Sequence, residues 1–130
     1  MKLKNQVVVV TGAGQGIGKA IAQRCAAEGA KVALVARTES TLQTVAEEIH
    51  ESGGKALVAP ADVSDQGAVA AMVERVEQAF GPIGLLVNNA YRMGEIGPTW
   101  VVDPADWCTT VAVDLQGVFF GCHAVLPSMV

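Results

Sequence analysis

Short apolar runs alternate along this chain with stretches whose apolar positions repeat every three or four residues. Val7-Val10 is a β-branched run ended by Thr11-Gly12, the pattern of a strand buried on both faces. Ile17, Ala20, Ile21 and Cys25 then recur at helical spacing, and Gly29 stops that helix. Val32-Ala36 predicts a second buried strand. Thr38 predicts the N-cap of a helix with Leu42, Val45, Ala46 and Ile49 on one face. Ala56-Ala59 predicts a third strand. Ser64 is the expected cap of a helix whose stripe is Val69, Met72, Val73, Val76 and Phe80, and Ile83-Val87 is the fourth strand. Residues 90–102 read as a loop. Asp103 and Pro104 open a further helix through Trp107, Val111, Leu115, Val118 and Cys122, with Asp106 expected to reach back to the cap and Pro127 near the end.

The order βαβαβαβ followed by a helix implies parallel strands joined by right-handed crossovers. The expected fold class is α/β, a doubly wound parallel sheet in strand order 3-2-1-4, forming one domain over residues 1–130. Such a sheet normally continues beyond strand four, so the domain is expected to be truncated.

Composition narrows the function. The 130 residues are 51% hydrophobic, enough for a core and too apolar for disorder. A net charge of -4 with no Lys/Arg cluster argues against a nucleic-acid surface. No apolar run approaches the ~20 residues of a bilayer span. Cys25, Cys108 and Cys122 form no C-x-x-C pair, which suits a reduced, cytoplasmic protein with no disulfide framework and no metal site.

The candidate chemistry lies in Thr11-Gly12-Ala13-Gly14-Gln15-Gly16-Ile17-Gly18, between the first strand and first helix. Glycine there permits positive φ and close backbone approach, and the helix N-terminus offers free N–H groups to a diphosphate. The bland alternative is a tight turn without a ligand. Lys19 is followed by Ala20, not Ser or Thr, which excludes the magnesium-binding phosphate loop of nucleotide hydrolases. The G-x-G-x-x-G fingerprint fails at Ile17. The frame that fits is Thr-Gly-x-x-x-Gly-x-Gly.

With that frame, Ala61-Asp62-Val63 after strand three and Asn88-Asn89-Ala90 after strand four, the chain resembles the short-chain dehydrogenase/reductase family over essentially its whole length. The resemblance implies a Rossmann-type oxidoreductase that moves a hydride between a nicotinamide coenzyme and a carbonyl or alcohol, usually as a homo-oligomer. It implies cofactor contacts from Gly12, Gly14, Gln15, Gly16, Ile17 and Gly18. It gives Asp62 and Val63 to the adenine, Asn88 to stabilising the central strand, and Ala90 to a place against the cofactor. Asp62 has the alternative of a turn residue ahead of a helix. At the tip of strand two, Ala36 stands where NAD-preferring relatives carry an acid. Arg37 follows with a guanidinium suited to a 2′-phosphate, so NADP(H) is the expected cofactor, with NAD(H) the second choice. Otherwise Arg37 is a solvated cation.

The sequence also departs from the family. Tyr91 replaces the usual glycine after Ala90, and either projects toward the cofactor or covers its loop, the second being favoured. Asp114 takes the place of a relay asparagine. The family's catalytic serine and Tyr-x-x-x-Lys would fall beyond residue 130, since Tyr91 is the only tyrosine and position 95 is Glu95. The 130 residues alone are therefore expected to be inactive, and a non-catalytic dinucleotide-binding module is the alternative. His50 and His123 read as surface or packing residues, Trp100 and Trp107 as packing anchors. No G-x-S-x-G elbow supports acyl transfer, and Ala36-Arg37 disfavours a methyltransferase.

Overall fold

A computed structural model describes residues 1–130. In chain order the elements are β1 (Val7–Thr11), α1 (Gly16–Ala27), β2 (Lys31–Val35), α2 (Glu39–Glu51), β3 (Lys55–Val58), α3 (Gln66–Phe80), β4 (Leu85–Val87), α4 (Pro104–Val111) and α5 (Gly117–Val125). The strands form one sheet in the order β3-β2-β1-β4, parallel throughout. The expected doubly wound, Rossmann-type sheet is therefore present.

The central strands are apolar on both sides because both sides are covered. Val8, Val10, Val32 and Leu34 face α1 and α2, joined by Leu42, Val45, Ala46 and Ile49. Val7, Val9, Ala33 and Val35 face α3 and α5, joined by Val69, Met72, Val73 and Val76. Alternate residues of one strand thus feed two separate cores.

Several boundaries and roles differ from the sequence reading. β4 begins at Leu85; Ile83 is buried but lies ahead of the ladder, where Gly84 N–H donates to Val7 O at 2.9 Å. The cap of α3 is Asp65, whose carboxylate accepts from Ala68 N–H, because Ser64 is engaged with Asp62. Thr38 caps α2 by position only; its carbonyl accepts from the Thr41 hydroxyl. Asp103 caps α4 as expected, but Asp106 does not reach back to it. Glu95 accepts from Asp103 N–H instead, and Asp106 turns to Arg92.

The buried face of α1 is Gly18, Ala22, Cys25 and Ala26, rotated from the predicted stripe. Small residues let this helix lie close to β1, and Ile17 is left 74% exposed. Trp100 and Trp107 are 87% and 61% exposed, so they anchor no packing within this chain.

A π-helical stretch, Ala112–Gln116, joins α4 to α5, and a short 3₁₀ turn follows at Leu126–Ser128. The continuous helical run Pro104–Ser128 is long and apolar enough to cross a membrane by length and composition. It instead packs α5 along α3 and β4. Asp106 and Asp114 on the same run are tied to the loop after β4, so it serves as a layer of the sheet fold.

Candidate functional site

The carboxyl ends of all four strands open onto one cleft of about 790 Å³. Its lining includes Gly12, Gly14, Gln15, Gly16, Ile17, Arg37, Asp62, Val63 and Ala90. Nine of the sequence-derived candidates, from four different turns, are therefore brought together. Strand order explains why: with β1 between β2 and β4, the chain leaves the sheet in opposite directions on either side of the β1 tip, which leaves a crevice there.

The glycine loop forms the floor. Gly12 and Gly16 hold φ of 67° and 56°, a conformation that costs an L side chain roughly 1–2 kcal/mol. Gly18 is needed for another reason. A Cβ there would strike Gly12 O and the Asn89 amide, so Gly18 seats the helix on the strand and does not line the cleft. Gln15 precedes α1 without a side-chain cap, and Lys19 N–H to Gln15 O is the bond by which the helix reaches back to the loop. The N–H groups of Gly16, Ile17 and Gly18 thus have no protein acceptor and converge at the positive end of the helix dipole.

The β1 and β4 tips are held together by Thr11 and Asn89. Thr11 Oγ1 accepts from Asn89 N–H and Ala90 N–H, each at 3.0 Å, and donates to Val87 O at 3.3 Å. Asn89 Nδ2 donates to Thr11 O and Gly12 O at 3.1 and 3.3 Å. This clasp belongs to Asn89, not to the expected Asn88. The Asn88 amide faces α5, 3.6 Å from Cys122 Sγ, and is not part of the lining. Two adjacent asparagines gave no sequence signal for which one faces β1.

On the β2–β3 side, Arg37 is exposed and makes neither an ion pair nor a hydrogen bond within the chain; Glu39 does not reach it. Asp62 Oδ1 accepts from Ser64 N–H at 3.0 Å and Ser64 Oγ at 2.7 Å. Those two bonds, helped by the charge of Arg37, lower the Asp62 pKa, so it is held ionised. Its Oδ2 has no protein donor, and Asp62 lines the cleft beside Val63.

On the β4 side, the structure adds residues the sequence did not single out. Arg92 Nη2 pairs with Asp106 Oδ1 at 2.5 Å, and Nη1 donates to Asp106 O and Thr110 Oγ1 at 3.1 and 2.7 Å. Glu95 N–H donates to Asp106 Oδ2 at 2.7 Å. Asp114 Oδ1 accepts from Arg92 N–H at 2.7 Å and lies outside the lining. Tyr91, between these anchors, does not cover its loop. It is 74% exposed and lines the cleft.

A sheet crevice with this glycine loop defines a dinucleotide-binding class of protein, and comparison with known proteins gives the family. The family model described as short chain dehydrogenase matches residues 6–130, and the chain belongs to that family. It is 37% identical over 132 residues to a short chain dehydrogenase of Pseudocercospora fijiensis, covering 99% of this chain and 42% of that protein. It is 37% identical over 128 residues to an oxidoreductase of Staphylococcus aureus, covering 98% and 54%. Among solved structures, a metagenomic short-chain oxidoreductase in complex with NADP superposes with a TM-score of 0.95 at 40% identity, over 99% of this chain and 58% of that one. A Burkholderia phymatum short chain dehydrogenase/reductase in complex with NAD gives 0.92 at 31% identity, over 98% and 45%. The chain spans about half the length of the relatives it matches.

Proposed function

We propose that residues 1–130 are the coenzyme-binding part of an oxidoreductase that transfers a hydride between NADP(H) and a small carbonyl or alcohol. One observation carries the reading: the unpartnered N–H groups of Gly16 and Ile17, at the start of α1, belong to residues that line the same cleft as the unpaired Arg37. The cleft fits a dinucleotide. Its floor is backbone that a Cβ would obstruct, and its charge is positive at two separated points.

The N–H groups of Gly16 and Ile17 would take the diphosphate, with the Gly18 N–H behind them at the same helix end. Asp62 Oδ2 would accept from the adenine amino group, with Val63 against the ring. Arg37 would meet a 2′-phosphate, and no acid at the β2 tip competes for the ribose hydroxyls. Ala90 would lie against the nicotinamide half. Relatives in complex with NADP and with NAD support the coenzyme class, and Ala36-Arg37 supports the phosphorylated form. When bound, the coenzyme supplies or accepts the hydride. The relay role proposed for Asp114 rests on its Oδ2, since Oδ1 is taken by Arg92 N–H.

The reacting carbonyl also needs a proton donor. In this reading the serine and Tyr-x-x-x-Lys of the family come from outside these residues, and the 130 residues alone do not turn over. A cytoplasmic homo-oligomer is part of the same proposal; Leu115 and Phe119 form an exposed apolar stripe on the α4–α5 run that suits a second copy.

Titration calorimetry with NADPH and NADH tests the coenzyme assignment. Wild type should prefer NADPH by at least about tenfold, the size of one charge-assisted phosphate contact. Arg37→Asp should reverse the preference. An unchanged ratio would refute the role of Arg37, and no binding of either coenzyme would refute the whole reading.

A further inference from the structure

We infer that Tyr91 is a specificity-determining residue for the nicotinamide half of the coenzyme, held in place by an Arg92–Asp106 clasp. The inference rests on the coenzyme reading above and assigns a residue to the part of the cleft that reading leaves least furnished.

Three observations converge on it. The first is position. Arg37 and Asp62 stand at the ends of β2 and β3, on one side of β1. An extended dinucleotide centred on the β1–α1 turn must send its other half over the end of β4, where Tyr91 follows Ala90.

The second is restraint of the backbone with freedom of the side chain. Immediately before Tyr91, Ala90 N–H is bound to Thr11 Oγ1. Immediately after it, Arg92 N–H is bound to Asp114. The Arg92 side chain is fixed to α4 by Asp106 and Thr110. Gly94, at φ 71°, then turns the chain tightly against Thr110, where a side chain would collide with its hydroxyl. Between these anchors the Tyr91 ring is exposed on the cleft, and its phenol has no hydrogen-bond partner in the chain.

The third is chemistry. An exposed aromatic face on a wall that otherwise offers the small or polar side chains of Asn89, Ala90, Arg92 and Thr109, with Val113, suits a planar heteroaromatic ring, through stacking that costs little side-chain freedom. The clasp lowers that loss further by fixing the backbone from which the ring projects.

The test compares NADPH with 2′-phospho-ADP-ribose, which lacks only the nicotinamide ring, by calorimetry on the full chain. Tyr91→Gly should weaken NADPH about tenfold and leave 2′-phospho-ADP-ribose unchanged within about twofold. Tyr91→Phe should keep NADPH affinity within about threefold, since the ring face is retained. Arg92→Ala should weaken NADPH in the same selective way. Equal weakening of both ligands by Tyr91→Gly, or no weakening of either, overturns the inference while leaving the coenzyme reading intact. Failure of wild type to bind either ligand overturns both.

Discussion

Asn89 donates two hydrogen bonds to Thr11 across the tips of β1 and β4. The Thr11 hydroxyl accepts the Asn89 N–H, and the Thr11 carbonyl accepts from the Asn89 side-chain amide. Thr11 is 4% exposed and is the one polar residue in the buried set. Its hydroxyl also takes the Ala90 N–H, so a single oxygen satisfies two donors at the edge of the cleft. Thr11→Val keeps the shape and removes that oxygen. Leaving donors without partners costs about 1–3 kcal/mol, so the variant should melt several degrees below wild type in a calorimetric scan. Thr11→Ser should recover most of the loss. A Thr11→Val protein as stable as wild type would mean that solvent satisfies the two N–H groups.

Gly18 and Gly16 separate two reasons for glycine in one loop. At Gly18 an added Cβ meets the Gly12 carbonyl and the Asn89 amide, both fixed by the sheet. At Gly16 there is open space and only the left-handed backbone objects. Gly18→Ala should therefore destabilise by about 1–3 kcal/mol, the range of overpacking. Gly16→Ala should cost about 1 kcal/mol. Denaturant titration of the two variants reads the order directly, and the reverse order would show that α1 can lift away from β1.

The strands and the two-sided core were legible because Val7–Val10 of β1 and Val32–Val35 of β2 are apolar without a break, and only a sheet covered on both faces requires that. The glycine frame placed the cleft for the same kind of reason: backbone approach leaves a composition signal. Side-chain pairings across loops left none. Nothing in the spacing of Arg92 and Asp106 shows that they meet, and the division of labour between Asn88 and Asn89 depends on which way β4 ends. The α1 stripe differs from the pattern because Ile17 has the hydrophobicity of a core residue; the close seating at Gly18 turns it toward the cleft. Trp100 and Trp107 misled for a related reason, since large aromatic residues usually pack, and here they stand on the outside of the α4 region.

Ser64 and Asp65 perform two separate tasks where the sequence suggests one, an α3 cap at Ser64. Asp65 caps α3 through Ala68 N–H, and Ser64 holds Asp62 by two hydrogen bonds. Asp65→Ala should cost about 1 kcal/mol of stability, the usual worth of an N-cap. Ser64→Ala should leave the α3 cap intact and raise the Asp62 pKa toward its ordinary value, because the hydroxyl donor is the largest cause of its depression. Carboxyl chemical shifts followed against pH distinguish the two. An Asp62 midpoint unmoved by Ser64→Ala would show that the Ser64 N–H and the charge of Arg37 hold it down without the hydroxyl.

Acid should release the loop that carries Tyr91. The hydrogen bond from Arg92 and then the Glu95 N–H hold the Asp106 carboxyl below its ordinary pKa, and Asp106 in turn raises that of Arg92. A carboxyl with a folded-state pKa below its unfolded value contributes its stabilisation in full above the unfolded pKa. That contribution is lost as pH falls through the folded value. The loop should therefore be fully clasped at neutral pH and loosen only below the usual aspartate range. Followed by NMR, the Glu95 amide should shift with the same midpoint as the Asp106 carboxyl, since the two groups share a hydrogen bond. In Asp106→Asn the Glu95 amide should lose that acid transition. Should Asp106 titrate at the ordinary aspartate value, the guanidinium is not paired with it in solution, and the fixed backbone on either side of Tyr91 would have lost one of its anchors.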